Sequence, residues 1–458
     1  MEFSNLAHVQ KPLPHGGRVL VLDTGALIGA EAEAMLQALH SRSIGGVRSH
    51  LEKLEKKGPA NFMETYYVGY GDKSIGDCGS TTIFIEGVSM LVAKAIQDSQ
   101  LYNGQESSTR YIDFSNQPFL NPAASAAGEQ ILEELRAFHL EGLETMKAIL
   151  AERHPRQEQE EEKVWQKAIN ARAFDVMRSF LPAGAVTNLA WHTELRHAAD
   201  HLMRLRHHPL AEVRTVAEAI QTALDEKYPS SFKQKRYEQT ESYVEDCMRS
   251  YYFNFTAEEA QRVSAEGIAV EHDGLDHDLL QTYRTVFSAR PFKAEPPKYA
   301  AECGSMRFAF FLDFGSFRDL QRHRAVVQRM PLLTDAWGFE AWYLAQMPEA
   351  LQEKAISVLE KHRMDIQKLQ LSAELQQYYL PMGYRVACRI TGDLPALLWL
   401  VELRSGTAVH PTLRTVAQAI GAKVQDACKP IDIAVHINTE EDRFNIKRGL
   451  HDIVEKTP

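Results

Sequence analysis

The same landmarks occur twice along this chain, in the same order. Asp77-Cys78-Gly79-Ser80 recurs as Glu302-Cys303-Gly304-Ser305, and each is followed by a short apolar run, Thr81–Ile85 and Phe308–Leu312. Leu181-Pro182 recurs as Leu380-Pro381. Arg214-Thr215-Val216-Ala217-Glu218-Ala219-Ile220 recurs as Arg414-Thr415-Val416-Ala417-Gln418-Ala419-Ile420. Four landmarks at similar separations point to a tandem duplication, so the chain is expected to fold as two versions of one unit, packed as a pseudo-dimer. The expected division is 1–235 and 243–458, with Pro229-Ser230-Ser231 and the charged stretch Lys233–Arg236 closing the first copy.

Within each copy the runs Thr81–Ile85 and Phe308–Leu312 read as buried strands, being short and dense in β-branched and aromatic residues. Arg18–Asp23 reads as an opening strand and Glu31–His40 as the helix after it. Ser316 with Asp319 fits a capping box at a helix start. Thr187–His208 reads as one long helix, with Trp191, Leu195, Ala199 and Leu202 on an apolar face. His197, His201, Arg204 and His208 share that period but lie about 200° away, which predicts a basic stripe facing water, a ligand or another chain. Gln157–Glu162 reads as a solvated loop or helix face. Helical patterning dominates elsewhere, so each half is expected to be α+β with a small sheet and packed helices.

Composition narrows the function class. Of the 458 residues, 44% are hydrophobic and 24% charged, which is ordinary for a globular chain and unlike a disordered one. A formal charge of -10 argues against a surface for long nucleic acid, while leaving room for local arginine clusters that hold one phosphate. No apolar run approaches ~18 residues, so no membrane span is expected, and Met1–Pro14 lacks the order of a signal peptide. Five scattered cysteines without a CxxC pair suggest neither disulfides nor structural zinc, and a reduced, cytoplasmic protein is expected. His197 and His201 have metal-ligand spacing but no supporting ligands, so no metal is expected.

Two clusters carry candidate chemistry. Gln105-Glu106-Ser107-Ser108-Thr109-Arg110-Tyr111 brings short hydroxyl donors beside a guanidinium, a combination suited to phosphate, although a polar surface loop fits it too. Arg322-His323-Arg324 is expected inside a helix begun near Ser316. There the three side chains diverge by about 100° each and cannot all grip one small anion. They suit a larger ligand or a solvated basic face.

Both halves resemble the flavin-dependent thymidylate synthases, the ThyX family. The resemblance rests on the acidic-x-Gly-Ser segment with its strand and helix, the SxRY turn, the RHR tripeptide, the RxxLP segment and a helix ending in Arg-xxx-His. It covers about residues 18–235 and 243–435. It implies an α+β fold and a tetrameric assembly, here a homodimer imitating four subunits. It also implies FAD as cofactor, dUMP as substrate, and NADPH and methylenetetrahydrofolate as co-substrates.

Matched to this sequence, the resemblance assigns Glu106, Ser108 and Arg110 to SxR and the acidic residue before it. In the first copy Asp98, Ser99 and Gln100 stand where RHR belongs. Arg322, His323 and Arg324 match RHR in the second copy, where Leu332 and Thr334 replace the serine and arginine. Arg178 matches the nucleotide-phosphate arginine, with Gln377 in its place in the second copy. Arg204 and His208 match Arg-xxx-His, of which Arg404 keeps the arginine and Ala408 replaces the histidine. Arg196 matches an earlier arginine, and Glu302 matches the acid of HxSxxE, whose histidine is replaced by Asp72 and Pro297.

By this resemblance Ser108 and Arg110 are the candidate catalytic residues. With Glu106, Arg178, Arg204 and Arg404 they would bind dUMP. Arg322, His323, Arg324, Arg196, His208 and Glu302 would bind the cofactor. Because each copy keeps one central element and lacks the other, one composite site is expected per pair. A catalytically inactive relative that binds nucleotide or flavin is the second reading, and a structural α+β protein the third.

Overall fold

The structure is a computed structural model that describes residues 8–22, 28–42, 46–65, 73–107, 109, 112–158, 160–232, 235–252, 257–431 and 433–440. In chain order the elements that matter here begin with strands β1 (His8–Pro12) and β2 (Arg18–Leu22) and helix α1 (Ala30–Arg42). Strand β3 (Ser80–Ser89), helix α2 (Met90–Gln97) and strand β4 (Asn103–Glu106) follow. Two long helices come next, α3 (Ala126–Arg153) and α4 (Glu162–Met177). Strand β5 (Val186–Glu194) then runs into helices α5 (Leu195–Leu205), α6 (Ala211–Lys227) and α7 (Glu238–Tyr251).

The second series is β6 (Ile268–Asp273), β7 (Ser305–Asp313), α8 (Phe314–Leu320), β8 (Val327–Arg329), α9 (Glu349–Lys368), β9 (Arg385–Asp393), α10 (Leu394–Arg404) and α11 (Pro411–Cys428). Both sheets are antiparallel, in the orders β1-β2-β3-β5-β4 and β6-β7-β9-β8. If β1 is set aside, the two orders are the same. The chain is α+β, as expected.

The strands form where burial alternates. In β3 the side chains of Ile83 and Ile85 are fully buried while Phe84 between them is exposed, the period-2 pattern of a sheet covered on one face. A bulge at Gly87 interrupts the β3–β5 register. Gly87 has φ +72, and a Cβ there would lie 2.6 Å from the Cα of Gly17, so only glycine lets the β1–β2 turn approach this closely.

The chain divides into two compact units. One contains residues 1–112 and 185–251, and the other residues 113–184 and 252–458. Helices α3 and α4 therefore pack with the second series of elements. Within this second unit α3 and α9 are joined by Glu141–Lys354 (2.6 Å) and by Glu134–Lys361. The two Leu-Pro landmarks also meet there. Ala183 N–H donates to Leu380 O and Met382 N–H donates to Leu181 O, each at 2.9 Å. Gly184 N–H donates to Tyr378 O at 2.9 Å and Gly383 N–H to Ser179 O at 2.8 Å. Each bond has a counterpart in which donor and acceptor segments exchange, the pattern of an isologous contact.

The strand-to-helix joints match as well. Ser89 caps α2 and donates its Oγ proton to Glu212 of α6 at 2.6 Å. Asp313 caps α8 and accepts from Thr412 Oγ1 of α11 at 2.6 Å. The hydroxyl–carboxylate bond is kept with the two partners exchanged.

Several local expectations are corrected. The opening strand is β1, which precedes Arg18–Leu22. Thr187–His208 is not one helix but β5 followed by α5. Trp191 accordingly lies on the strand, and its ring meets that of His201 edge-on at 5.4 Å. The basic stripe does not face outward as a whole. Arg204 is exposed, but His201 and His208 are buried, and His201 has Nε2 2.9 Å from Ile96 O. A helical period fixes angular position; which sector is covered depends on what packs against it, here α2 as well as β5. Ser316 is not the cap of α8: Asp313 caps it, and Ser316 N–H is the donor to its Oδ1 at 2.9 Å. The helix ends at Leu320, so Arg322-His323-Arg324 lies in the turn beyond it rather than inside.

Candidate functional site

The second unit gathers a buried polar cluster around the β7–α8 joint. Asp313, fully buried, is held by three donors: Ser316 N–H (2.9 Å), Tyr343 OH (2.8 Å) and Thr412 Oγ1 (2.6 Å). Thr412 spends its one proton on Asp313, so it is an acceptor toward Ser316 Oγ at 2.7 Å. His410 Nδ1 lies 3.0 Å from Thr412 Oγ1 and 3.2 Å from Ser316 Oγ, while Nε2 faces the carbonyl of Asp175 at 3.4 Å. Which His410 nitrogen donates follows its tautomer: a proton on Nδ1 serves Thr412 Oγ1 or Ser316 Oγ, and a proton on Nε2 serves the Asp175 carbonyl. Burial, then the charge of Arg178, lowers the His410 pKa to about 4, which keeps the imidazole neutral. Burial and Asp313 push the Tyr343 phenol well up, so it stays protonated and a donor.

Arg178 follows α4 and is 8% exposed. Burial works against its charge, but Tyr343, Asp175, Asp319 and Asp313 outweigh burial and raise its pKa. Its Nε and Nη2 have no hydrogen-bond partner in the protein. A buried guanidinium with two unused N–H groups is costly unless something accepts from them. That makes it a suitable anion anchor.

Asp319 connects Arg178 to the basic turn. Burial alone would raise its pKa, yet Arg178, then Arg322, Arg404 and Arg318, lower it. Arg322 is exposed and reaches Asp319 loosely, at 3.6 Å. His323 is buried and accepts from Arg404 Nε at 2.7 Å. Burial and then Arg404 lower the His323 pKa to about 3, so it remains an acceptor. Arg324 is exposed. The structure thus brings Arg178, Arg322, His323 and Arg404 together within one unit, around an aspartate named in the sequence only as a helix cap.

Gln377, which precedes Leu380-Pro381 by three residues as Arg178 precedes Leu181-Pro182, is engaged by its own chain. Gln377 Oε1 accepts from Leu333 N–H at 3.0 Å, in the loop where Leu332 and Thr334 replace the serine and arginine. A glutamine satisfied by backbone there is not available to a phosphate.

The remaining candidates fall elsewhere. Ser108 and Arg110, like Asp72, lie outside the described residues. In the first unit Glu106 ends β4 and accepts from Gln97 Nε2 at 2.8 Å. Arg196 pairs with Asp77 through both carboxylate oxygens, Nη2 to Oδ2 at 2.8 Å. His208 Nδ1 accepts from Leu210 N–H at 3.1 Å, and burial holds this imidazole well below the usual pKa. Arg204 is exposed, as is Glu302 in the second unit. Counted from the capping residues Glu194 and Asp393, Arg404 falls beside Leu205 rather than Arg204, about 100° further around the helix. Asp313, Asp319, Tyr343, His410 and Thr412 were not singled out for the site. The one signal for His410 is that it immediately precedes a proline, as His208 does.

The fold and this cluster define an α+β protein with a buried arginine and a basic turn beyond the end of α8 around a shared aspartate. The chain belongs to the family described as thymidylate synthase complementing protein, which matches residues 29–230 and 256–428. It is similar to a UPF0159 protein of Chlamydia muridarum, 25% identical over 413 residues, covering 78% of this chain and 77% of the relative. UPF0159 proteins of Chlamydia pneumoniae and Thermoplasma acidophilum are 23% and 22% identical, covering 87% of this chain and 85% and 91% of theirs. No helix among the described residues is long and apolar enough to cross a membrane.

Proposed function

We propose that the chain is a flavin-dependent thymidylate synthase-like enzyme, methylating dUMP or a related pyrimidine nucleotide with methylenetetrahydrofolate and NADPH. Family membership supports the class of reaction. The observation that carries the reading to this chain is Arg178, buried beside the RHR turn with two unused N–H donors. It would take the nucleotide phosphate. FAD fits the same neighbourhood through its phosphates: Arg322 and Arg324 present exposed guanidinium groups on the turn that also holds the neutral His323. When bound, the flavin supplies the electron and one-carbon chemistry. The residues here would anchor phosphate and keep the turn in place, with Arg404 orienting His323 and Asp319 holding the arginines near each other.

The repeats 1–235 and 243–458 are proposed as two versions of one unit related as a pseudo-dimer, two chains imitating a tetramer. The reciprocal bonds of the Leu-Pro segments and the exchanged Ser89–Glu212 and Thr412–Asp313 bonds support this. One working set per pair is proposed, with Ser108 and Arg110 from the first copy and Arg322, His323 and Arg324 from the second. Gln377, tied to Leu333, favours this over two independent sites. The second reading, a flavin- or nucleotide-binding relative without turnover, is favoured by one observation: Pro297 stands where the family has the histidine of HxSxxE.

Flavin content of the purified protein tests the first step. A flavin absorption band, lost in Arg322→Ala, is expected; no flavin even with FAD added overturns the reading. dUMP-dependent oxidation of NADPH, abolished in Arg178→Ala, separates the enzyme from the inactive relative.

A further inference from the structure

We propose that residues 433–440 form a strap that positions the basic turn through the last turn of α10, and that Arg414 and Gln418 of α11 are the positioning residues that hold the strap. In the reading that Arg322, His323 and Arg324 take the flavin phosphates, on which this rests, the strap supports the site from outside it. The repeated segment that begins at Arg414 then has a role of its own.

The first observation is what holds the end of α10. Arg404 Nε donates to His323 Nε2 at 2.7 Å, so the basic turn takes its place from this helix end. The residues on either side of Arg404 are both tied down. Glu402, fully buried, accepts from Arg290 Nη2 and from Lys293 N–H at 2.9 Å. Ser405, also fully buried, accepts at its carbonyl from Arg414 Nε at 2.7 Å and at Oγ from Asn438 N–H at 3.0 Å. A carbonyl at a helix end has no partner within the helix, so a donor brought from elsewhere fixes it. The strap reaches both anchors. Asn438 meets Ser405, while His436 Nε2 lies 2.9 Å from Arg290 O and Ala434 O accepts from Arg290 Nη2 at 3.4 Å.

The second observation is how α11 grips the strap. Arg414 Nη2 donates to Asn438 Oδ1 at 3.2 Å and to Glu440 O, and Gln418 Nε2 donates to Asn438 O at 2.8 Å. Arg414 thus holds the end of α10 with one nitrogen and the strap with another. One turn along, Gly421 leaves room for both: a Cβ there would lie 2.7 Å from Val401 Cγ1 of α10 and 2.8 Å from Ile437 Cγ1 of the strap.

The third observation comes from the other copy of the repeated segment. Arg414–Ile420 and Arg214–Ile220 differ at one position, Gln418 against Glu218. The amide of Gln418 can donate to a carbonyl and the carboxylate of Glu218 cannot; Glu218 instead accepts from Arg236 at 3.2 Å. Arg214 donates to His208 O at 2.6 Å and to Pro209 O at 2.7 Å, in the loop before its own helix. Gln221 stands in the place of Gly421 and donates to Asp225 at 2.9 Å. The copy without the RHR turn therefore has neither the amide donor nor the glycine that the strap uses.

Amide hydrogen exchange on the full chain, read by mass spectrometry without flavin, tests the coupling. The N–H groups of His323 and Val326, bonded to Leu320 O at 3.0 Å and His323 O at 3.3 Å, report on the basic turn. Gln418→Glu, which installs the first copy's residue, and Asn438→Ala are each expected to speed exchange over residues 321–326 about tenfold. Asn438→Asp keeps the acceptor for Arg414 and is expected to stay within about twofold of the wild type. FAD affinity from flavin fluorescence titration is expected to fall about tenfold in the first two variants and to be restored in Asn438→Asp. Faster exchange confined to 433–440 would make the strap a local structural element and overturns the proposal, as does unchanged FAD affinity in both Gln418→Glu and Asn438→Ala. A wild-type chain that takes no FAD overturns the flavin reading instead, and exchange over 321–326 then decides the positioning role by itself.

Discussion

At the residue scale the cluster around Asp313 is decided by proton inventory. Tyr343 and Thr412 donate to its carboxylate, and Ser316 N–H completes the cap. Asp313→Ala removes the cap and leaves two buried hydroxyls without an acceptor, so urea unfolding is expected to show a loss of about 3 kcal/mol. Arg178→Met has a different signature. It leaves Asp175, Asp313 and Asp319 without their shared counter-charge and removes the unused N–H donors. Affinity for dUMP measured by calorimetry is expected to fall by about 100-fold, alongside a lower melting temperature. A variant that melts lower but binds dUMP unchanged would assign Arg178 to internal charge balance alone.

At the scale of elements, the reciprocal Leu-Pro contact is held by backbone bonds that tolerate no added side chain. A Cβ on Gly184 would lie 2.5 Å from Tyr378 O, a backbone atom that cannot rotate away. Gly184→Ala is expected to cost about 2–3 kcal/mol in denaturant unfolding. Gly267→Ala is the comparison: its φ is +72 but nothing lies within 4 Å, so only backbone strain of about 1 kcal/mol is expected. Equal losses at the two positions would remove the close-approach argument. The elements also show what patterns along the chain convey. Phe308–Leu312 and Thr81–Ile85 were legible as strands because a short run dense in aromatic or β-branched residues is a local signal. The break between β5 and α5 was not, because Trp191 fits the helical spacing of Leu195 and Leu202 while sitting on a strand.

At the scale of the whole molecule, buried neutral histidines set the acid limit. Burial lowers His139, His201, His362 and His410 to about 4 and His323 to about 3. Their unfolded value is near 6.5, so as pH falls below that value the unfolded chain takes up protons that the folded chain refuses. Stability is therefore fully present above about 6.5 and is lost progressively toward pH 4, flattening once the folded groups also protonate. Melting temperatures measured from pH 7.5 to 4.5 should fall along this course, and His410→Gln should reduce the slope. A flat profile across this range would mean that these imidazoles are not held neutral by burial.

The sequence by itself determined the α+β class, the recurrence of the landmark segments, the main strands and the residues that resemble the family's anion-binding set. Those features are local in the chain or repeat along it, so pattern suffices to read them. Only tertiary structure decided that Arg322-His323-Arg324 lies past a helix end, that His201 and His208 turn inward, and that Arg178 packs with the second series of elements beside Asp319. Those outcomes depend on which distant segments cover a given face and which charges they bring with them. A periodic pattern gives each residue an angle around its own element; the covering neighbour sets its burial, its proton and its partner.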